Sequence, residues 1–387
     1  MKIMEKKAQE QAKEGQPCQK KKRKIPWSML YIAATIVAVL LFGLFNQKFG
    51  DVFHTISNLT PGFLTLGILI ILVYFVFEGE IFRLLLRSQG YQISFFSGQK
   101  NALLGLYYSY ITPSSTGGQP MQAAYLLRDK IPVGISTAVL IIKFVCFQCG
   151  FVVVSVASLI GMYGKLQADN PTIIPFAILG IAINGFSILF FASLFFKPVS
   201  KVLCHFAKWL VGKFRFLRKR EGLVETIDRF QADFNSYTDD FKGKQKSLVA
   251  GVLLSIPQFI VQMSVIYFIF RAFGYHNVGY FEIVAVQSLL QVSVSFMPMP
   301  GASGAQEIGF SSFFQNYFVN DDLYAAVMVW RLFTYYLVVI AGAVFVVADQ
   351  FWYRRKKMRE TTGVSLTDNG SKEQQPVFQM SEGGEKK

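Results

Sequence analysis

Two short segments with a shared pattern decide the fold: Pro113-Ser-Ser-Thr-Gly-Gly-Gln119 and Pro300-Gly-Ala-Ser-Gly-Ala-Gln306. They align without a gap, with Pro, a small hydroxyl residue, Gly and Gln in register. Each interrupts a long apolar stretch near its middle, the first over Asn101 to Leu127 and the second over Phe281 to Phe318. Because Pro and Gly break helices, each stretch is predicted to form two short arms around a turn.

The similarity extends beyond these turns. Upstream, Arg87-Ser-Gln-Gly-Tyr91 matches Arg271-Ala-Phe-Gly-Tyr275 at nearly the same separation along the chain. Downstream, Ala138-Val-Leu-Ile-Ile-Lys-Phe144 matches Ala326-Val-Met-Val-Trp-Arg-Leu332, again at nearly the same separation. Three anchors in the same order, at nearly constant offsets, indicate an internal duplication.

The composition is that of a membrane protein. Of the 387 residues, 52% are hydrophobic and 16% are charged, and 39 are Phe, which is too apolar for an ordinary soluble domain of this length. A helix needs about 20 apolar residues to cross the hydrocarbon core of a bilayer. Six runs of that kind predict full spans: Pro26–Phe45, Pro61–Phe82, Val133–Tyr163, Ile173–Phe196, Leu248–Phe270 and Leu323–Ala348.

The distribution of charge predicts the orientation. Lys and Arg exceed Asp and Glu by nine to three in residues 1–24, by twelve to six in 197–246 and by eight to five in 350–387. These three excesses account for the whole net charge of +15. The positive-inside rule therefore places all three regions in the cytoplasm of a multi-pass cell-membrane protein, with both termini inside. Nucleic-acid binding is a poor alternative, because every basic patch flanks a membrane span.

This topology makes the two repeats inverted. The first interrupted stretch begins and ends on the cytoplasmic side, and the second begins and ends outside. Their first arms are short for a span, since Asn101–Ile111 is about 16 Å long as a helix and Phe281–Phe296 about 24 Å. We predict an all-α integral membrane protein, an inverted-repeat helical bundle with six full spans and two re-entrant hairpins. Eight full spans are the alternative.

The predicted organisation has three parts. A basic cytoplasmic tail over residues 1–25 precedes a polytopic membrane domain over 26–353, and residues 354–387 have the polar composition of a disordered cytoplasmic tail. Repeat one covers about 61–163 and repeat two about 248–350. A cytoplasmic linker over 197–246 joins them, and apolar residues at helical spacing predict that amphipathic helices in it lie on the inner membrane surface: Phe206, Leu210, Phe214 and Leu217.

Short, Gly/Pro-interrupted segments at matching positions of inverted halves are typical of a transporter's substrate site. Glycines at the tips would expose backbone amides to an anion, and hydroxyl and amide side chains would add donors. Tight helix packing by these small residues is the competing interpretation. The candidate binding residues at the tips are Thr112, Ser114, Ser115, Thr116, Gly117, Gly118, Gln119, Gly301, Ser303, Gly304, Gln306 and Glu307.

Two cations are predicted to lie near the membrane midplane. Lys143 is about 15 Å along its span from the cytoplasmic side, and Arg331 is about 13 Å from the outer side. A charge at that depth costs about 3 kcal/mol, so it normally faces a cavity, a partner or a ligand. Together with the tips, both cations could bind a phosphate. An ion pair with a carboxylate is the alternative, and Glu307 is the leading candidate ahead of Glu282 and Asp349.

The sequence gives little support for a redox, metal-binding or catalytic function. Cys146 and Cys149 form a C-x-x-C pair, but they lie in an apolar helix, where thiols are usually inert. The scattered histidines have no metal-site spacing, and neither a catalytic constellation nor a cofactor motif is present. Glu78 and Glu80 are interpreted as partners of Arg83 and are given no role.

The runs P-S-S-T-G-G-Q-P at 113–120 and M-P-M-P-G-A-S-G-A-Q-E at 297–307, with the basic residue of the last span, resemble the membrane region of lysylphosphatidylglycerol synthases. The resemblance covers roughly residues 26–353. It implies a flippase-like domain with two re-entrant hairpins that moves a decorated phospholipid between leaflets. In bifunctional members of that family, a separate domain transfers lysine to phosphatidylglycerol, and the product confers resistance to cationic peptides. The polar residues after the last span are too few for such a domain.

The resulting hypothesis is a translocase, either flippase or scramblase, for an anionic or aminoacylated phospholipid such as lysyl-phosphatidylglycerol. A membrane-associated phosphatidylglycerol lysyltransferase, as the family name implies, and a transporter of a soluble anionic metabolite are the alternatives. Membrane phospholipids are the expected partners, a separate lipid-modifying synthase is a candidate partner, and an oligomer is compatible with the sequence. No cofactor, metal or nucleic acid is expected.

Overall fold

The computed structural model describes residues 57–213, 222–319 and 322–370. Within these ranges the chain is helical and contains no β-strand. The predicted N-terminal tail, the first predicted span (Pro26–Phe45), Phe214, Leu217 and the last part of the C-terminal tail lie outside the described residues. The helices are α1 Pro61–Ser88, α2 Phe95–Tyr110, α3 Gly118–Arg128, α4 Val133–Asp169, α5 Ile173–Ser193, α6 Lys197–Lys213, α7 Leu223–Lys242, α8 Gln245–Met263, α9 Val265–Ala272, α10 Tyr280–Val294, α11 Ala305–Phe314, α12 Asp322–Arg331 and α13 Leu337–Gly370.

Five helical segments in the described ranges are long and apolar enough to cross a bilayer. They are Pro61–Ser88, Val133–Asp169, Ile173–Ser193, Gln245–Ala272 and Asp322–Trp352. Each coincides with a predicted span, so five of the six predicted spans are confirmed as membrane-length helices. Many of their large apolar side chains face outward, as expected where lipid replaces water as the solvent.

Both interrupted stretches form helical hairpins. The arms α2 and α3 pack against each other, and so do α10 and α11. The first arm is longer than the sequence predicted, because α2 begins at Phe95 and not at Asn101. Ser94 caps this helix by accepting a hydrogen bond from the Ser97 backbone N–H (3.2 Å). At 16 residues, or about 24 Å, α2 is still short for a full span.

The hairpins enter the bundle from opposite ends. The Thr60 backbone N–H, just before α1, donates to the carbonyl of Ala272 at the end of α9 (3.1 Å). At the other end, Lys244 before α8 donates to Gln89 after α1 (3.4 Å). Helix α1 and the α8–α9 pair are therefore antiparallel. Hairpin 1, formed by α2 and α3, starts where α1 ends. We name this end of the bundle the linker end, because α8 begins there after the linker. Hairpin 2 starts where α9 ends, at the opposite end.

The two turns share an unusual backbone. Each is a short 3₁₀ helix, Pro113–Ser115 in hairpin 1 and Pro300–Ala302 in hairpin 2. Positive φ angles occur at equivalent positions: 52° and 55° at Ser114 and Ser115, and 57° and 48° at Gly301 and Ala302. Three of these residues carry a Cβ, for which this conformation costs about 1–3 kcal/mol. The two tips also contact each other. A strained turn repeated at matching positions of the two halves supports the duplication.

Hairpin 1 is held together by a buried amide pair. The Asn101 side chain on α2 donates to the Gln122 carbonyl on α3 (3.3 Å), and the Gln122 side chain donates to the Asn101 carbonyl (3.0 Å). Gly105 allows this approach, because a Cβ there would collide with the Gln122 amide. Backbone groups exposed at membrane depth would be costly, so this pairing fixes the hairpin inside the protein.

The linker forms two amphipathic helices, α6 and α7, and α7 packs onto the bundle. Phe234, Tyr237 and Thr238 of α7 are buried. Gly134 at the start of α4 lies so close to α7 that a Cβ would meet the Phe230 carbonyl and Asp233. Helix α7 therefore adds a layer over α4, and the position of the linker helices on the inner membrane surface stays a prediction.

The last helix also differs from the prediction. Helix α13 continues past Tyr353 to Gly370 without a break, where the sequence suggested a disordered tail from residue 354. The first seven residues after Tyr353 are Arg, Lys, Met and Glu, which have high intrinsic helix propensity, whereas the next ten include Thr, Gly, Ser, Asp and Asn, which do not. A helix that crosses the membrane can continue into such a segment without packing against anything.

Candidate functional site

The strongest polar cluster surrounds Arg331 at the tip of hairpin 2. The Arg331 Nε donates to Glu307 Oε1 (2.6 Å), and its terminal nitrogens donate to the Gly301 carbonyl (3.2 and 3.3 Å) and to Ser303 Oγ (3.0 Å). The Arg331 side chain is only 5% exposed, while that of Glu307 is 28% exposed. Four predicted site residues therefore meet in one place, and the predicted ion pair of Arg331 is with Glu307.

Glu307 also holds the turn. Its second carboxylate oxygen accepts from the Gly304 backbone N–H (2.5 Å), which caps the start of α11. Gly304 adopts a φ of 85°, which a residue without a Cβ reaches readily. A single carboxylate thus neutralises the buried guanidinium and fixes the backbone beside it.

An aromatic bridge links this cluster to hairpin 1. A π-helical segment, Leu332–Tyr336, directly follows Arg331; such segments are rare and occur often at functional sites. It places the Tyr335 ring 4.8 Å from the Arg331 guanidinium and 5.4 Å from the Tyr110 ring. The Tyr335 hydroxyl donates to the Tyr110 carbonyl at the end of α2 (3.3 Å). Gly301 leaves room for this ring, because a Cβ there would collide with it.

The second cluster surrounds Lys143. Its Nζ forms an ion pair with Glu78 Oε1 on α1, and Gln258 Nε2 on α8 donates to the other oxygen, Glu78 Oε2 (2.6 Å). The two charged side chains are 10% and 11% exposed. The interpretation of Glu78 as a partner of Arg83 is wrong, because Glu78 pairs with Lys143. The same interpretation of Glu80 is confirmed, since Glu80 pairs with Arg83.

The tip of hairpin 1 presents exposed polar residues. Ser114, Ser115 and Thr116 are exposed. Behind them, Thr112 Oγ1 accepts from the Gly117 backbone N–H (2.8 Å) and donates to the Tyr108 carbonyl (2.7 Å). The tip is therefore internally braced and keeps three hydroxyl groups on its surface.

The remaining predicted tip residues are mainly structural in this conformation. Gly118 is buried against α2, where a Cβ would collide with Ser109 Oγ. Gln306 is buried and donates to Gln291 Oε1 across hairpin 2 (3.1 Å). Gln119 is half-buried at the start of α3. Tight packing therefore accounts for part of the repeated motif.

Lys143 and Arg331 do not converge on one point. Lys143 contacts α1, and its partner Glu78 contacts α8, whereas Arg331 contacts the hairpin 2 tip. Tyr110 lies on the Arg331 side, with its ring 5.4 Å from the ring of Tyr335. The candidate site therefore comprises two separate ion pairs: a partly buried one at the hairpin 2 tip, Arg331–Glu307, and a buried one between α1 and α4, Lys143–Glu78.

The other carboxylates considered from the sequence pair elsewhere. Glu282 pairs with Lys165, and Asp349 binds Lys100 and Arg128 (2.9 Å to Arg128). In the described part of the chain, no group of His, Cys, Asp and Glu side chains could hold a metal ion. Cys146 and Cys149 are free thiols.

Sequence reasoning missed Glu78, Gln258, Tyr110 and Tyr335. Glu78 carries a usable signal, because it lies well inside an apolar run, where a carboxylate requires a partner. Gln258 shows a weaker form of the same signal. Tyr110 and Tyr335 are typical of any aromatic-rich membrane helix and give no signal of their own.

The comparisons with known proteins agree with this architecture. The family model described as the lysylphosphatidylglycerol synthase TM region matches residues 30–342. A UPF0104 membrane protein from Archaeoglobus fulgidus is 26% identical over 275 residues, which is 68% of this chain and 79% of that protein. A UPF0104 membrane protein from Methanothermobacter thermautotrophicus is 23% identical over 294 residues, 72% of this chain and 80% of that protein. With its membrane-length helices and this match over most of its length, the chain is a multi-pass membrane protein that belongs to the lysylphosphatidylglycerol synthase TM region family.

Proposed function

We propose that this protein moves an anionic or aminoacylated phospholipid, such as lysyl-phosphatidylglycerol, between the leaflets of the cell membrane. The observation that carries the proposal is the pair of buried ion pairs beside two inverted hairpins whose tips meet. The basic linker supports an orientation in which the linker end and both termini face the cytoplasm.

The free-energy cost of burying these ion pairs indicates that they serve a function and do not mainly stabilise the fold. Bringing a charge to the bilayer midplane costs about 3 kcal/mol on insertion scales. Replacing a buried pair by apolar side chains is often neutral or even stabilising. Ion pairs such as Lys143–Glu78 and Arg331–Glu307 therefore stabilise a bundle little. They do provide a buried cation that an anionic ligand can bind.

In this mechanism, Glu78 and Glu307 are internal substitutes for the phosphate of the lipid. Each occupies its cation while the site holds no lipid, which avoids an unpaired buried charge. An entering phosphate group displaces the carboxylate and pairs with the cation. Because Glu307 also caps Gly304, its displacement would loosen the hairpin 2 tip. Binding of the head group would thereby be coupled to movement of the gate.

The inverted arrangement provides two related access routes. Hairpin 1 enters from the linker end and hairpin 2 from the opposite end, and they meet near Tyr110 and Tyr335. Opening one hairpin while the other stays closed would expose the site to one leaflet at a time, as in other inverted-repeat transporters. The acyl chains would remain in lipid along the apolar outer surface of the bundle.

A soluble anionic metabolite is the competing substrate, and binding measurements separate the two classes. We expect the purified protein to be stabilised against heat by phosphatidylglycerol in mixed micelles, but only weakly by glycerol 3-phosphate or by diacylglycerol. The first competitor lacks the acyl chains and the second lacks the phosphate. Stabilisation is expected because a ligand at 100 times its dissociation constant adds about 2.7 kcal/mol to the folded state.

The measurement is the unfolding midpoint as a function of probe concentration. Phosphatidylcholine serves as the control for a general lipid effect. Full stabilisation by glycerol 3-phosphate at the same concentration would favour the soluble-anion transporter. Equal stabilisation by all lipids, including diacylglycerol, would contradict recognition of the phosphate.

A further inference from the structure

The linker end contains a cavity that lies apart from both ion pairs. Its volume is about 620 Å³, which is within the usual range of about 300–1,000 Å³ for ligand pockets. Helices α4, α5, α7 and α8 and the first residue of α6 form its walls. The lining residues are Ile142, Val145, Ala192, Phe195, Phe196, Lys197, Thr238, Gln245 and Leu248.

The cavity does not belong to the Lys143 cluster. Ile142 and Val145 are three residues apart and share one face of α4. Lys143 points in a different direction, because successive residues of a helix are rotated by about 100°. The Lys143 side chain turns to Glu78 on α1. The cavity is instead closed by α5 and by the linker helix α7, and the rings of Phe195 and Phe234 stack beside it (5.6 Å between centroids).

The apolar and polar residues that line the cavity come from different elements. Residues from the membrane-spanning helices α4 and α5 are apolar. Lys197 and Gln245 are the first residues of α6 and α8, at the two ends of the linker, whereas Thr238 is buried in α7 and its hydroxyl donates to the Phe234 carbonyl (2.8 Å). The cavity therefore has a mainly apolar lining from the spans and one cation, Lys197, where the linker begins.

We propose that this cavity binds an acyl chain of a phospholipid from the leaflet at the linker end, with an anionic head group near Lys197. The surrounding solvent is lipid, and Phe196 at the wall is exposed on the outer surface of the bundle. Lys197 is half-exposed and pairs with Asp239 (2.7 Å), so an anionic head group can share or replace that carboxylate. This second lipid site does not depend on translocation.

Photolabelling in nanodiscs tests the assignment. The full-length protein is reconstituted with phosphatidylglycerol that carries a diazirine in one acyl chain, and labelled peptides are identified by mass spectrometry. We expect enrichment of label at residues 142–145 and 192–196. Ala192→Trp fills the cavity and should lower this labelling about tenfold, since exclusion of two methylene groups already costs that factor.

Matched variants separate the cavity from bulk lipid. Leu189→Trp adds the same ring to an exposed position of α5 outside the cavity and should leave labelling unchanged. Lys197→Ala should reduce the preference for phosphatidylglycerol over a phosphatidylcholine probe, whereas Lys201→Ala on the same helix should not. Unfolding midpoints confirm that each variant is folded.

Labelling that Ala192→Trp does not lower, or that Leu189→Trp lowers equally, would show contact with bulk lipid only and overturn the proposal. Equal labelling by both probes in the wild type would remove the anionic preference. Because the assay measures occupancy alone, a failure of lipid exchange would leave this result unaffected.

Discussion

Arg331→Leu is expected to lower the free energy of unfolding by about 3–5 kcal/mol and to abolish lipid movement. The substitution leaves the Glu307 carboxylate without its cation inside the bundle, and it removes the donors to Gly301 and Ser303. Thermal unfolding in detergent measures the first effect, and leaflet exchange in proteoliposomes measures the second.

A double variant separates stability from function. Glu307→Gln removes the unpaired charge and retains an oxygen that can cap the Gly304 N–H. Arg331→Leu combined with Glu307→Gln should therefore recover most of the lost stability but none of the exchange. Arg128→Leu, which removes a partly exposed cation paired with Asp349, is the control and should cost no more than about 1 kcal/mol. Exchange by the stable double variant would show that Arg331 has only a structural role.

Glu78→Gln is expected to make the protein depend on anionic lipid for its stability. The variant keeps the shape of the side chain but leaves Lys143 buried without a counter-ion, at a cost of about 3–5 kcal/mol. If a lipid phosphate can replace the carboxylate, phosphatidylglycerol should restore the unfolding midpoint and phosphatidylcholine should not. The mechanism also predicts tighter binding of phosphatidylglycerol than in the wild type, since no internal anion competes.

Glu80→Gln provides the matched control two residues away. Glu80 is 37% exposed and pairs with Arg83 within the same helix. Its loss removes the carboxylate of Arg83, whose side chain is only 11% exposed, so the unfolding midpoint should fall, but by the same amount in either lipid because this pair lies outside the proposed phosphate site. If Glu78→Gln were destabilised equally in both lipids, the phosphate would not reach Lys143, and the counter-ion role of Glu78 would be wrong.

The repeat carried most of the fold information in the sequence. The motif beginning at Pro113 and Pro300 predicted two turns, and the structure places a 3₁₀ turn with the same positive φ angles at each position. The position of the turns was predictable because proline interrupts a helix locally. The positive φ angles were not predictable from glycine, since Ser114, Ser115 and Ala302 also adopt them. The start of α2 at Phe95 was missed because Gln99 and Lys100 interrupt the apolar run, although Ser94 caps the helix ahead of them.

The candidate site was only partly predictable. Depth along a span singled out Lys143 and Arg331, because a midplane cation needs a partner. Arg331 and Glu307 lie near each other in the sequence, which made their pairing easy to propose. Glu78 and Lys143 are 65 residues apart on different helices. Their pairing depends on how α1 rotates and slides against α4, and one sequence without covariation does not carry that information.

Movement of a phospholipid between leaflets by the meeting hairpins is tested most directly by exchange of fluorescent phosphatidylglycerol and its lysyl form in proteoliposomes. Quenching from outside reports the fraction of probe that reaches the outer leaflet over time. Exchange is expected for the wild type and for Arg128→Leu, and none is expected for the stable Arg331→Leu, Glu307→Gln double variant. Exchange by the correctly inserted wild type at the rate of protein-free liposomes, for both lipids, would contradict this movement.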